Sequence, residues 1–259
     1  MRTKDLDQDL MARLAQAAEH FADTTQDPPQ VRARAALSAV LSSGVVAQQE
    51  RLPSERDLQG VLGVSRGTVR EVLAHLEAEG VIYRLDRRGW FLSPPRIDYD
   101  LAKPKGFMTF VADQGRVPRT ETLDKMLIQP SPEIADMLGI AAGGMAYSIR
   151  RRRYIDERPV LIEQILVNAA RFPGLLERDL DTSLSTILAK DYQVPTTRTK
   201  AEMYPTALDE SVAQMLYMTP GSPGLFVRRV CYDAKGQVVE YDLEHWHPSA
   251  FRLILDSDA

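Results

Sequence analysis

The stretch Leu52-Pro53-Ser54-Glu55-Arg56-Asp57-Leu58, followed by Gly63-Val64-Ser65-Arg66-Gly67-Thr68-Val69-Arg70, decides how the chain is read. Ser54 and Ser65 each stand before a run with apolar residues at helical spacing. A serine oxygen in that position accepts a backbone N–H of the helix's first turn. Asp57, three residues after Ser54, makes a short-armed variant of the capping box. The first helix carries Leu58, Val61 and Leu62 and stops at Gly63; the second carries Val69, Val72, Leu73 and Leu76 and ends at Gly80. Helix, short glycine-containing turn, helix is a helix-turn-helix. A preceding helix is expected over Val31–Val46, with Val31, Ala35, Leu37, Val40 and Leu41 on its apolar side. Val81–Leu85 and Trp90–Ser93 read as two short strands around Asp86-Arg87-Arg88-Gly89, a wing.

Arg56, Ser65, Arg66, Thr68 and Arg70 gather at the starts of the two helices. A recognition helix places its N-terminal side chains against base edges in the major groove. An arginine there reaches the O6 and N7 of guanine, worth about 1–3 kcal/mol of discrimination. Ser65 and Thr68 suit phosphate oxygens. Arg87, Arg88 and Gly89 at the wing tip are candidates for the backbone or minor groove. Any one of these arginines has a plainer reading, a solvated helix face; the constellation argues against it. The net charge of −4 conceals an uneven distribution. Gln30–Arg96 holds 10 Lys/Arg against 7 Asp/Glu, Ile97–Ala259 holds 19 against 23, and Met1–Pro29 holds 3 against 6. The one basic segment is the one read as touching double-stranded DNA.

These motifs, with Leu76-Glu77-Ala78-Glu79-Gly80, resemble the winged-helix domain of the GntR family of bacterial regulators over about 60 residues. The resemblance implies DNA contacts from Arg56, Ser65, Arg66, Thr68 and Arg70. Two positions depart from the family pattern. Gly67 stands where a small polar residue is common. The family wing, Gly-x-Gly-Thr-Phe, here reads Arg87-Arg88-Gly89-Trp90-Phe91, so a different wing turn is expected.

The N-terminal segment 1–29 has Leu6, Leu10, Leu14, Ala17, Ala18 and Phe21 at helical spacing, broken by Gln26-Asp27-Pro28-Pro29. It reads either as a frayed tail or as a helix packed on a partner subunit. The winged helix takes 30–96, a linker 97–104 and a second domain 105–257. Strands are expected over Leu123–Gln129, Met145–Ile155, Val160–Val167, Leu225–Asp233 and Val238–Trp246. Helices are expected over Gly106–Gly115, Pro132–Gly139, Ser183–Tyr192 and Asp209–Leu216. Short turns between successive strands predict an α+β domain with a largely antiparallel sheet.

Arg150-Arg151-Arg152-Arg153 is an unusual charge run inside an apolar stretch. On a strand Arg151 and Arg153 share one face and form a fork for phosphate or carboxylate. Glu163 lies on the neighbouring candidate strand, placed to receive ligand hydroxyls or amines or to pair with an arginine. The alternative is a surface cluster of salt bridges. Arg151-x-Arg153-x-x-Asp156-x-x-Pro159-Val160 with Glu163, Phe172-Pro173-Gly174-Leu175, Ser183-Leu184 and the late run through Val227–Val230, Tyr232-Asp233, Gly236 and Glu240 are similar to the effector domain (UTRA) of the HutC subfamily. That resemblance implies a chorismate-lyase-like fold with ligand between sheet and covering helices. It implies that Arg151, Arg153 and Ser183, with Thr109 as the candidate from the Phe107–Phe110 loop, bind an acidic group, while Glu163 and Glu240 bind the polar body of the effector. Ser185 and Trp246 replace tyrosines of the family and alter the pocket. His245 and His247 flank Trp246 without a third ligand, so no metal is expected.

The single Cys231 excludes an intramolecular disulfide. No apolar run of about 18 residues and no signal peptide are present, which fits a cytoplasmic protein without a membrane segment. No nucleophile–base pair and no phosphate-cradling loop is found, so neither an enzyme nor a cofactor is expected. The reading is a ligand-responsive regulator, taken as a repressor. It forms a homodimer on a roughly palindromic operator and responds to a small anionic metabolite such as a sugar phosphate, phosphonate or organic acid. The competing classes are a lyase-like enzyme carrying a winged-helix passenger and an architectural DNA binder with a dead pocket.

Overall fold

A computed structural model describes residues 2–24, 26–47, 50–85, 88–100 and 106–254. The chain divides into two compact units, Met1–Arg96 and Ile97–Ala259. The first contains α1 (Arg2–Thr24), α2 (Pro29–Ser42), α3 (Glu55–Leu62), α4 (Arg66–Ala78), β1 (Ile82–Leu85) and β2 (Gly89–Leu92). The capping box of α3 forms as read: Ser54 Oγ accepts from the Asp57 N–H at 3.3 Å and Asp57 Oδ2 from the Ser54 N–H at 3.2 Å. Gly63 then ends the helix in the left-handed region, φ +63°. The wing is the antiparallel pair β1–β2. A third strand-like segment went unread: the Leu52 N–H donates to the Trp90 carbonyl and the Leu92 N–H to that of Glu50.

The N-terminal apolar spacing takes the form of helix α1. It packs against α2 and α3 of its own unit. Leu10 and Leu14 are buried in the same core as Ala36, Leu37, Leu58 and Leu73. The apolar spacing marks a buried face, and that face packs within the first unit.

The second unit contains β3 (Ile97–Asp100), α5 (Phe107–Ala112), β4 (Pro118–Ile128), α6 (Pro132–Leu138), β5 (Ala146–Ile155), β6 (Arg158–Asn168), a single 3-10 turn (Leu175–Glu177), α7 (Leu184–Asp191), β7 (Arg198–Ala207), α8 (Glu210–Met215), β8 (Pro223–Tyr232), β9 (Val238–Trp246) and β10 (Phe251–Ile254). Six strands form an antiparallel sheet in the order β4-β5-β6-β9-β8-β7. On one face α7 packs Leu184 and Leu188 with Phe172 and Leu175 onto Ile149 and Ile165. On the other, α8 packs Val212 and Leu216 onto Ile162, and α6 packs Leu138 onto Ala146 and Leu166. Alternation along each strand thus separates two buried faces.

The linker reading needs correction. Ile97–Asp100 is strand β3, paired in parallel with β10 inside the second unit; Leu101–Pro104 lie outside the described residues. Ile97 is drawn in because it buries its side chain with Phe110, Trp246 and Phe251. Among the described residues no helix is long and apolar enough to cross a membrane.

Candidate functional site

The reading head of the first unit is the start of α4. Ser65 caps it, accepting from the Thr68 N–H at 3.1 Å, and the two hydroxyl oxygens lie 2.9 Å apart. Arg56, Ser65, Arg66 and Arg70 are exposed. The apolar side of the helix (Val69, Val72, Leu73, Leu76) is buried, which forces the polar side outward. Glu55, not singled out from sequence, organises two of the arginines. Its Oε2 accepts from Arg70 Nε at 2.8 Å and lies 3.6 Å from Arg66 Nε. The hydrogen bond from Arg70 holds the Glu55 carboxyl below the usual carboxylate range. On the wing, Arg88 is exposed with its guanidinium 5.7 Å from the centre of the Phe91 ring. Gly89 adopts φ +99°, open to glycine alone at little cost, and a Cβ there would meet Arg51 Nε at 3.3 Å. Arg87 lies outside the described residues.

The second unit holds a cavity of about 640 Å³ between the sheet and α5 and α7. Arg151, Arg153, Glu163, Ser183, Ser185, Glu240 and Trp246 all line it, so most of the residues picked from sequence are brought together. Thr109 is not among them. Each residue of a helix turns by about 100°, so Phe107, Phe110 and Val111 face inward and Thr109 points to solvent.

Arg151 and Arg153 are not a free fork. Arg151 Nε and Arg153 Nε both donate to Glu163 Oε1, the latter at 2.9 Å. Arg151, 1% exposed, spends Nη1 on the carbonyls of Leu180 and Thr182 at 3.1 and 3.3 Å. It therefore braces the loop that leads into α7. Arg153 Nη1 donates to Thr120 Oγ1 at 3.1 Å, and its guanidinium stands 4.9 Å from the Phe107 ring. Burial, and then the charge of Arg151, bring Arg153 down to about 10, which leaves it cationic at neutral pH. Burial alone would raise the Glu163 carboxyl; Arg151 and then Arg153 pull it below the ordinary range. Ser183 caps α7 and its Oγ lies 3.1 Å from that of Ser185. Gly106 comes so close that a Cβ would sit 3.4 Å from both hydroxyls.

Three wall residues, Tyr99, Arg229 and Glu244, were missed, and with them Asp242, buried behind the wall. Tyr99 of β3 enters the cavity and packs on Phe110, Trp246 and Phe251, and burial pushes its hydroxyl up to about 12. Arg229 of β8 reaches Asp242 Oδ2 at 2.8 Å and Glu244 Oε1 at 3.0 Å. Glu244 Oε2 accepts from Trp246 Nε1 at 2.7 Å. The signal for two of them was in plain view: Glu240-x-Asp242-x-Glu244 alternates on one strand and presents three carboxylates to one face. Among the described residues no group of three or more metal-ligating side chains gathers. His247 is buried against Arg158 Nη2 (2.9 Å from Nε2), and His245 meets the Phe226 ring.

A winged helix with arginines exposed at its recognition helix, joined to a sheet domain with a charged cavity, defines a ligand-responsive DNA-binding regulator. Residues 29–92 match the model of the bacterial regulatory proteins of the gntR family and residues 113–252 that of the UTRA domain. The chain belongs to the GntR family, in the branch that carries a UTRA domain. It is 29% identical over 225 residues to the uncharacterized HTH-type transcriptional regulator YihL of Escherichia coli, covering 86% of this chain and 95% of that protein. It is 29% identical over 205 residues to the HTH-type transcriptional repressor NagR of Bacillus subtilis, covering 79% of this chain and 84% of that one. The crystal structure of PhnF from Mycobacterium smegmatis has the same fold: TM-score 0.63, 23% identity, 88% of this chain and 99% of that chain. GntR regulators bind operator DNA and UTRA domains bind small effectors. The relatives and neighbours are transcription regulators, and the lyase-like enzyme reading finds no support among them.

Proposed function

We propose that the chain is a repressor in the cytoplasm. As a homodimer it binds a roughly palindromic operator through Arg56, Arg66 and Arg70 with Ser65 and Thr68, and Arg88 and Gly89 shape the wing contact. Its effector is a small anionic metabolite: a sugar phosphate, a phosphonate or an organic acid. The observation that carries the effector class is that Arg153, Ser183 and Ser185 all line the cavity, the two serines forming a corner at the N-terminus of α7. First-turn N–H groups of a helix have no acceptor within it and favour an anion, the more so beside a guanidinium. Arg151, already committed to Glu163 and two carbonyls, positions that corner.

An effector shifts operator affinity only as far as it binds two arrangements of the protein unequally. β3 follows Arg96 directly, and its Tyr99 lines the cavity, so a ligand touches the strand through which the chain leaves the DNA-binding unit. A thermal-shift screen of sugar phosphates, phosphonates and organic acids on the full chain, followed by operator titration with each hit, tests the reading. Hits are expected to weaken operator binding. Arg153→Ala keeps DNA affinity and abolishes the response. Hits that leave operator affinity untouched sink the proposal.

A further inference from the structure

β9 sets Glu240, Asp242 and Glu244 on the cavity face of the sheet, and all three are buried. The cation paired with them in register is Arg229, opposite Asp242; Arg151 and Arg153 also act on Glu240. Its contacts are close but poorly aimed: neither Asp242 oxygen nor Arg229 Nε completes a hydrogen bond. Glu240 is 4% exposed, lines the cavity and has no hydrogen-bond partner for Oε1 among the described residues. The β5–β6 end of the wall carries the guanidiniums of Arg151 and Arg153 against the carboxylate of Glu163. The β8–β9 end carries Arg229 against Glu240, Asp242 and Glu244. This face of the sheet therefore holds four buried carboxyls, Glu163, Glu240, Asp242 and Glu244, against the guanidiniums of Arg151, Arg153 and Arg229. Lys190 and Arg198 line the cavity too, but both are exposed, where water and salt weaken their pull.

A buried carboxylate left without a partner is costly, and such a group is met by a cation or by a proton. In the empty protein burial favours the proton. Burial pushes the Glu240 and Asp242 carboxyls above the ordinary range, partly countered by Arg229. The groups facing Glu240 are Arg151, Arg153, Glu163, Arg229, Cys231 and Asp242. A ligand hydroxyl would give Glu240 a hydrogen bond and leave the surplus of negative charge; an ammonium answers both.

We propose that the effector carries a cationic nitrogen, an ammonium or a guanidinium, in addition to its acidic group, and that Glu240 receives it with Asp242 and Glu244 behind. The class is an amino acid, an aminophosphonate or an amino-sugar phosphate. This rests on the reading that the cavity takes an anionic metabolite.

Calorimetric titration of the full chain with matched pairs tests it: aminoethylphosphonate against ethylphosphonate, aspartate against succinate, and an amino-hexose phosphate against the parent hexose phosphate. In the pairs that bind, the amino member is expected to bind about tenfold tighter or more, the worth of one charge-assisted hydrogen bond. Glu240→Gln removes that preference. Because the amide needs no counter-charge, Glu240→Gln also raises the melting midpoint of the empty protein. Equal or tighter binding of the amine-free members overturns the cationic subsite while the anionic reading stands. No binding by any member, nor by inorganic phosphate, overturns both. A lower midpoint for empty Glu240→Gln would mean that the carboxylate has a structural role, and overturns the proposal without any ligand.

Discussion

Arg151 and Arg153 stand two residues apart on one strand and share a carboxylate, yet their surroundings divide their roles. Arg151 is locked by carbonyls of the loop before α7; Arg153 faces Phe107 and lines the cavity. Glu163 holds both, so Glu163→Gln leaves two buried guanidiniums short of charge. A loss of about 3–5 kcal/mol follows, read by chemical denaturation. At the DNA end, Arg66 has little company beyond Glu55 at 3.6 Å and is free to search a base edge. Arg66→Ala is expected to flatten the preference among operator variants, with only a small change in salt slope, in binding titrations across salt. An equal loss of affinity for every sequence would make Arg66 a phosphate contact instead.

Among the elements, α3 and α4 were the most legible, because Ser54, Asp57, Gly63 and Ser65 are local signals that act within a turn of themselves. The apolar face of α1 was legible too; its destination was not, since spacing reveals that a face is buried and never against what. With Leu14 fully buried, Leu14→Ala should cost about 2–5 kcal/mol and lower the unfolding midpoint of the DNA-binding unit. An unchanged midpoint would mean that α1 is dispensable. β7 escaped notice because it is an edge strand with exposed residues along most of its length, which erases the alternation that marks a strand. Thr109 was misjudged by helix phase. Arg229 was hidden beside Arg228, whose side chain turns to the opposite face and meets Glu202. Only the pairing with β9, set by a turn and a register, shows which of the two arginines faces the cavity. Motifs thus gave Arg151, Arg153 and Glu163, and long-range strand pairing brought Arg229 to the carboxyls of β9.

For the molecule as a whole, the buried charges oppose one another across pH. Glu240 and Asp242 hold protons above the ordinary carboxylate range. Their contribution to stability is complete below the unfolded value near 4 and is given up as pH rises through the folded values. Glu163 behaves in the reverse sense: its contribution is present above the unfolded value and is lost as pH falls through a depressed one. His247, held well below the usual imidazole value by burial and then by Arg158, costs stability on acidification and opposes Glu240 and Asp242. With two carboxyls against one imidazole, the melting midpoint of the empty protein should climb on mild acidification from neutrality and drop again in stronger acid. Glu240→Gln should blunt the climb. A steady decline from neutral pH downward in scanning calorimetry would contradict this balance.

The parallel pairing of β3 with β10 bears on anyone who would excise the sensing half for separate study. A fragment begun at α5, the natural-looking place to cut after a proline-rich stretch, would lose Tyr99 and strip β10 of its neighbour. The result would be a receptor with one wall missing and a bare strand edge inviting aggregation. Begun at Ile97, the same fragment keeps its aromatic panel and its hem.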